Sequence, residues 1–202
     1  MTAKLEFFFD YVSPTAYLAA VLAPQVAERT GAQLEYRPFF LGGVMAGTGN
    51  QPPGTVVAKG AYLSQDLIRC AKHIGVPFHF NPAFPMTTRT LTRATIALED
   101  DPAQQKNFMD ACWRRMWGQT APMDLSKPEN LQAMCVEEGF NYQQIVAWGD
   151  DEAMKARLVK NTEEAIGRGA FGAPTFFVGE EMFFGHDRLD YAERALVEAM
   201  VD

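Results

Sequence analysis

The sequence contains no C-x-x-C pair, and its three cysteines, Cys70, Cys112 and Cys135, stand far apart. Scattered cysteines in odd number argue against a disulfide framework and favour a reducing compartment, here expected to be the cytoplasm. No run of about 18 apolar residues occurs, so no segment is expected to span a membrane. The opening MTAKLEFFFD is soon broken by Asp10 and reads as a strand, not a signal peptide. His73, His79 and His186 lack the spacing of a zinc site, and there is neither a Walker loop nor a G-x-G-x-x-G. There is no Lys/Arg run, and the net charge is −7, so no nucleic-acid partner is expected. A small anionic ligand stays open, because a few placed cations override a weak overall field. Isolated acids such as Glu28 and Glu35 show no paired arrangement for acid–base work.

What is present is an ordinary globular balance over 202 residues, 48% hydrophobic and 21% charged. That length suits one large domain or one domain with a sizeable insertion. Leu5–Phe9 is a short aromatic run expected as a buried strand. Ser13-Pro14 then opens a helix over Thr15–Glu28, with Ser13 as N-cap, Pro14 in the first turn, a kink at Pro24 and a stop at Gly31. Residues 33–40 alternate as a second strand, giving a βαβ unit with a parallel pair. The segment 41–53, dense in Gly and Pro, reads as a loop.

Helical patterns then dominate, at 56–74, 88–99, 103–117, 129–138 and 151–167. Strand character returns at Thr175–Val178, a turn follows at Gly179-Glu180-Glu181, and Met182–Phe184 forms the partner strand. Asp187 is expected to cap a last helix running to Met200. The order βαβ, helices, ββα predicts an α/β thioredoxin-like fold with a large all-helical insertion. The discontinuous thioredoxin-like domain is expected at 1–45 and 168–202, and the inserted helical domain at 46–167.

Four places bear on chemistry. Ser13 sits at a strand-to-helix turn, where unpaired N–H groups and the helix dipole favour anions such as thiolates. Capping alone would also account for it. Pro174, after Gly172-Ala173, enters a strand. A cis Ala173–Pro174 bond would free the Ala173 backbone for an extended peptide ligand, and an ordinary trans proline is the other reading. Asp187, after Gly185-His186, suits either a ligand ammonium group or an N-cap. Asn50 in the Gly/Pro-rich loop and Lys59 on the next helix suit a ligand carboxylate, and a lone lysine is also simply solvated surface.

FFFDYVSPTAYLA, GNQPP followed by KGAYLSQDL, and FGAPTFFVGEEMFFGHDRL together resemble the 2-hydroxychromene-2-carboxylate isomerases. They also resemble the closely related kappa-class glutathione transferases, and both groups belong to the DsbA-like branch of the thioredoxin superfamily. The resemblance covers essentially the whole chain. It implies glutathione as cofactor, a small aromatic or electrophilic substrate and a homodimer. It implies that Ser13 holds the glutathione sulfur and that Ala173, before the cis-proline Pro174, pairs with the cysteinyl backbone. His186 and Asp187 would grip the γ-glutamyl end, and Asn50 and Lys59 the other end. The stretch MTTRTLTRA departs from the isomerases, with Thr90 near the place of their asparagine.

The favoured expectation is a glutathione-dependent cis–trans isomerase of aromatic catabolism, in which the thiolate adds to a double bond, rotation follows and the thiolate leaves. A kappa-type transferase is the alternative, and a non-catalytic thioredoxin-like binding scaffold is the third. A disulfide oxidoreductase is disfavoured, because Ser13-Pro14-Thr15-Ala16 stands in the C-x-x-C place.

Overall fold

Three consecutive phenylalanines in the first strand decide how the sheet is covered. The computed structural model describes residues 3–200. In it β1, Lys4–Phe9, is central, lying between β2 (Gln33–Pro38) and β3 (Thr175–Val178), with β4 (Glu181–Phe184) beyond β3. Strand geometry sends alternate side chains to opposite faces. Phe7 stacks on Phe176 (ring centroids 4.8 Å apart) and lies 5.0 Å from Phe9. Phe8, on the other face, meets Phe177 edge-on at 5.4 Å and Phe39 at 6.1 Å. Both faces are therefore buried, and all three rings are at most 1% exposed.

β2, Gln33–Pro38, runs parallel to β1 with Phe7 opposite Tyr36. β3, Thr175–Val178, runs antiparallel to β1, and β4, Glu181–Phe184, antiparallel to β3. Gly179, with φ +56°, makes the turn between them. α1, Pro14–Thr30, links β1 to β2, holds Pro24 within it and ends at Gly31, whose φ of 72° is open to glycine. α9, Leu189–Glu198, packs on α1 and against β1 and β3.

The chain forms two compact units. One comprises the residues up to Gln51 and those from Lys160; the other is Pro52–Val159. In the first unit the Phe8 face is closed by Phe39, Leu41, Val44, Ala165, Ala170 and Phe177. Polar contacts lock the same face. Arg37 bonds Glu6 and Glu35 at 3.2 Å and Glu164 at 2.5 Å, while its guanidinium lies 4.9 Å from the Phe8 ring centre. Arg168 reaches Glu6 at 2.8 Å and covers Phe177 at 3.8 Å.

The helical unit holds α3 (Val57–Ile74), α4 (Arg89–Ala97), α5 (Pro102–Trp113), α6 (Pro128–Glu138), α7 (Tyr142–Asp150) and the start of α8 (Glu152–Gly167). A π-turn at Arg114–Gly118 extends α5. The buried Asn81 ties its loop down by donating to Met116 O at 3.1 Å and Met123 O at 2.9 Å.

Three expectations are corrected. Leu41–Thr48, read as loop, is a helix, α2. Its glycines serve close approach. A Cβ on Gly42 or Gly43 would stand 2.8 or 2.9 Å from the Phe40 ring, and one on Gly47 would stand 2.9 Å from Ile166. The last helix begins at Leu189 after a 3₁₀ turn over His186–Arg188, and its N-cap is Arg188. Asp187 does not cap it; its carboxylate pairs with Arg188 at 3.0 Å. α7 lies in a stretch where no helix was expected.

Candidate active site

The turn between β1 and α1 is built from its first residue. Asp10 is 2% exposed and accepts from the Val12 N–H at 3.2 Å and, through its other oxygen, from the Leu41 N–H at 2.9 Å. Its carbonyl accepts from the Ser13 N–H at 3.0 Å. Ser13 therefore enters α1 with extended backbone (φ −86°, ψ 113°), and its Oγ accepts the Ala16 N–H at 3.2 Å. The capping expectation for Ser13 holds, and its hydroxyl proton remains available for a second task.

That proton points across the fold. Ser13 is 5% exposed, and its hydroxyl donates to the Ala173 carbonyl at 3.1 Å. The Thr15 hydroxyl donates to the same carbonyl at 3.1 Å, and the two hydroxyl oxygens are 2.8 Å apart. The Ala173–Pro174 bond is cis, as is Phe84–Pro85. The Ala173 carbonyl is thus not free, as a cis bond alone had implied: two hydroxyls occupy it. The Ala173 N–H has no acceptor among the described residues, and neither has the Thr15 N–H. Two unpaired N–H donors therefore flank two hydroxyls at the start of a helix, a setting that favours an anion carrying its own acceptors.

The other sequence candidates fall around this centre or apart from it. The Gly185 N–H donates to Pro174 O at 3.0 Å, which fixes the start of the His186–Asp187 turn against the proline. His186 is half-buried and Asp187 exposed. Asn50 latches its loop to the same region, its Nδ2 donating to Phe171 O at 2.7 Å and its Oδ1 accepting from the Gln51 N–H at 2.8 Å. Gly172 leaves no room for a side chain, since a Cβ would stand 2.8 Å from the Phe184 ring. Lys59 is exposed on the first turn of α3, in the helical unit.

Burial pushes the phenol of Tyr17, one turn beyond Ser13, above its ordinary value. Sequence reasoning missed Thr15 and Asp10. Thr15 had a signal, a second hydroxyl two residues past the cap, but its bond spans 158 positions. Cys70, Cys112 and Cys135 form no disulfide among the described residues, and all lie in the helical unit. Among the described residues no group of His, Cys, Asp and Glu is placed to hold a metal, and no helix is long and apolar enough to cross a membrane.

Residues 4–197 match the DsbA-like thioredoxin domain family. The 2-hydroxychromene-2-carboxylate isomerase of Sphingobium xenophagum is 32% identical over 98% of this chain and 100% of its own length. Glutathione S-transferase kappa 1 of Caenorhabditis elegans is 31% identical, over 92% of this chain and 87% of its own. The solved structure of a 2-hydroxychromene-2-carboxylate isomerase superimposes with a TM-score of 0.83 at 28% identity, covering 98% of this chain and 96% of that one. By fold and by sequence along nearly its whole length, the chain belongs to the DsbA-like thioredoxin family, in the group that includes the 2-hydroxychromene-2-carboxylate isomerases and the kappa-class glutathione transferases.

Proposed function

We propose that this protein is a glutathione-dependent cis–trans isomerase of the 2-hydroxychromene-2-carboxylate type, working in the cytoplasm in the breakdown of aromatic compounds. The observation that carries the reading is the convergence of the Ser13 and Thr15 hydroxyls with the unpaired Thr15 and Ala173 N–H groups at the start of α1. The isomerase relative, similar from end to end, supports the substrate class.

Bound glutathione supplies a thiolate nucleophile that is returned unchanged at the end of the turnover. The protein's part is to hold that sulfur ionised. Ser13 donates its hydroxyl proton to the sulfur, and the N-terminus of α1 adds its positive end. A hydroxyl suits this role because it stabilises sulfur without forming a disulfide to it. Ala173 offers a backbone N–H to an extended peptide. His186 and Asp187, which follow the Gly185 N–H bonded to Pro174, are assigned to the γ-glutamyl end, and Asn50 to the other end.

The kappa relative supports a second reading in which the adduct itself is released. One assay separates the two. Protein, glutathione and a hydroxychromene carboxylate should give a glutathione-dependent spectral change with no glutathione consumed. Stoichiometric loss of glutathione with a halogenated aromatic, and no isomerisation, would favour the transferase. In the isomerase assay Ser13→Ala should lower kcat/KM by about 10- to 100-fold, the scale of losing one donor to a developing or resident anion.

A further inference from the structure

The contacts around Ser13 number more than its protons can serve. Three oxygens, Ser13 Oγ, Thr15 Oγ1 and Ala173 O, form a triangle with sides of 2.8, 3.1 and 3.1 Å. Each hydroxyl carries one proton, so only two of the three sides are hydrogen bonds at any moment. The Ser13 oxygen also receives the Ala16 N–H at 3.2 Å, which fixes its lone pairs and leaves only its proton free to swing. Ala173 is 9% exposed, so its carbonyl cannot be left to bulk water without cost.

We propose that Thr15 is a positioning residue: by donating to the Ala173 carbonyl, it releases the Ser13 proton for an anion at the start of α1. This rests on reading the site as one that holds a glutathione thiolate. Without an anion, Ser13 and Thr15 share the carbonyl. With one, Ser13 rotates its proton away while Thr15 keeps the carbonyl satisfied, and no buried acceptor is orphaned by the switch. With valine at position 15, turning the Ser13 proton outward would strip the carbonyl of its remaining hydroxyl donor. The Ser13 proton is then held back, and the bound sulfur is less well stabilised. The Thr15 hydroxyl touches neither sulfur nor substrate in this arrangement; it acts through Ser13, and the Thr15 N–H is the same in every variant.

The test is calorimetric titration of glutathione into the whole protein over a range of pH, which gives the pKa of the bound thiol. S-methylglutathione, which has no ionisable thiol, serves as the control ligand. Wild type should depress the thiol pKa. In Thr15→Val the bound thiol should rise by about 1 relative to wild type. Affinity for S-methylglutathione should change by less than about threefold, and Thr15→Ser should restore the wild-type value. Thr15→Ala reads the same effect if the valine variant does not fold. A depressed thiol pKa in wild type that Thr15→Val and Thr15→Ala leave unchanged would overturn the role of Thr15 alone. Failure of wild type to bind glutathione, or a bound thiol titrating as in solution, would overturn the thiolate reading and this inference together.

Discussion

Asp10 holds the turn that presents Ser13, and its chemistry makes it hard to replace. One oxygen serves the Val12 N–H and the other the Leu41 N–H, at a site 2% exposed. Asp10→Ala would orphan the buried Leu41 N–H and the part-buried Val12 N–H, which costs about 2–3 kcal/mol, while Asp10→Asn, which keeps one carbonyl oxygen as acceptor, should cost about half as much. Urea unfolding measures both. Calorimetry on the folded fraction of Asp10→Ala should also show weaker glutathione binding, since the carboxylate's bonds to the Val12 and Leu41 N–H groups hold the turn that presents Ser13. An Asp10→Ala variant as stable as wild type would mean that neither donor needs the carboxylate. At this scale the sequence was readable where a residue's task is local. Ser13 as N-cap follows from its neighbours. Thr15 and Asp10 were not readable, because their partners, Ala173 and Leu41, are brought near only by the sheet.

Elements built on periodic apolar residues were equally readable. β1, α1 and β2 appear where the aromatic run, the Ser-Pro start and the alternation put them, and the β3–β4 hairpin and α9 follow near the other end. α2 was hidden because Gly42, Gly43 and Gly47 look like loop residues, and propensity disfavours glycine inside helices. Packing overrides that cost. Gly43 lies where a Cβ would stand 2.9 Å from the Phe40 ring and 3.2 Å from Thr162, so the helix can approach only without side chains there. Gly167, the last residue of α8, has nothing within 4 Å of the same point. Two identical substitutions should therefore have opposite signs. Gly167→Ala should stabilise by about 0.5–1 kcal/mol, by helix propensity and a less flexible unfolded chain. Gly43→Ala should destabilise by about 1–3 kcal/mol, because overpacking outweighs the same gain. Thermal melts of the two variants decide it; a stabilised Gly43→Ala would show that Phe40 and Thr162 yield freely.

At the scale of the whole molecule, the acidic and basic limits of stability fall to different groups. Glu193, bonded by Arg29, and Glu138, bonded by Arg114 and Arg115, are held below the ordinary carboxylate range. Their contribution is present at neutral pH and is lost as pH falls through their folded values. The alkaline side belongs to groups whose burial disfavours ionisation, the Tyr17 phenol and the buried thiols of the helical unit. Burial raises Cys112 well above its usual value and pushes Cys135 from an ordinary 9.0 up to about 11. A thiol whose folded pKa is raised stabilises the fold below the unfolded value, and that contribution drains away between about pH 9 and about pH 11. For Cys135 alone the loss amounts to about 2 kcal/mol by about pH 10.5, because the unfolded chain ionises freely while the buried thiol resists. Urea unfolding of wild type and Cys135→Ala near neutrality and again at about pH 10.5 reads Cys135 together with its repulsion of Cys112, since lysines and tyrosines contribute alike to both proteins. Cys135→Ala should start lower, by the cavity it leaves, and then fall less steeply, so that the gap between the two narrows with pH. If the two curves stay parallel, Cys135 titrates as it does in the unfolded chain, and the helical unit admits solvent to a position that its packing closes.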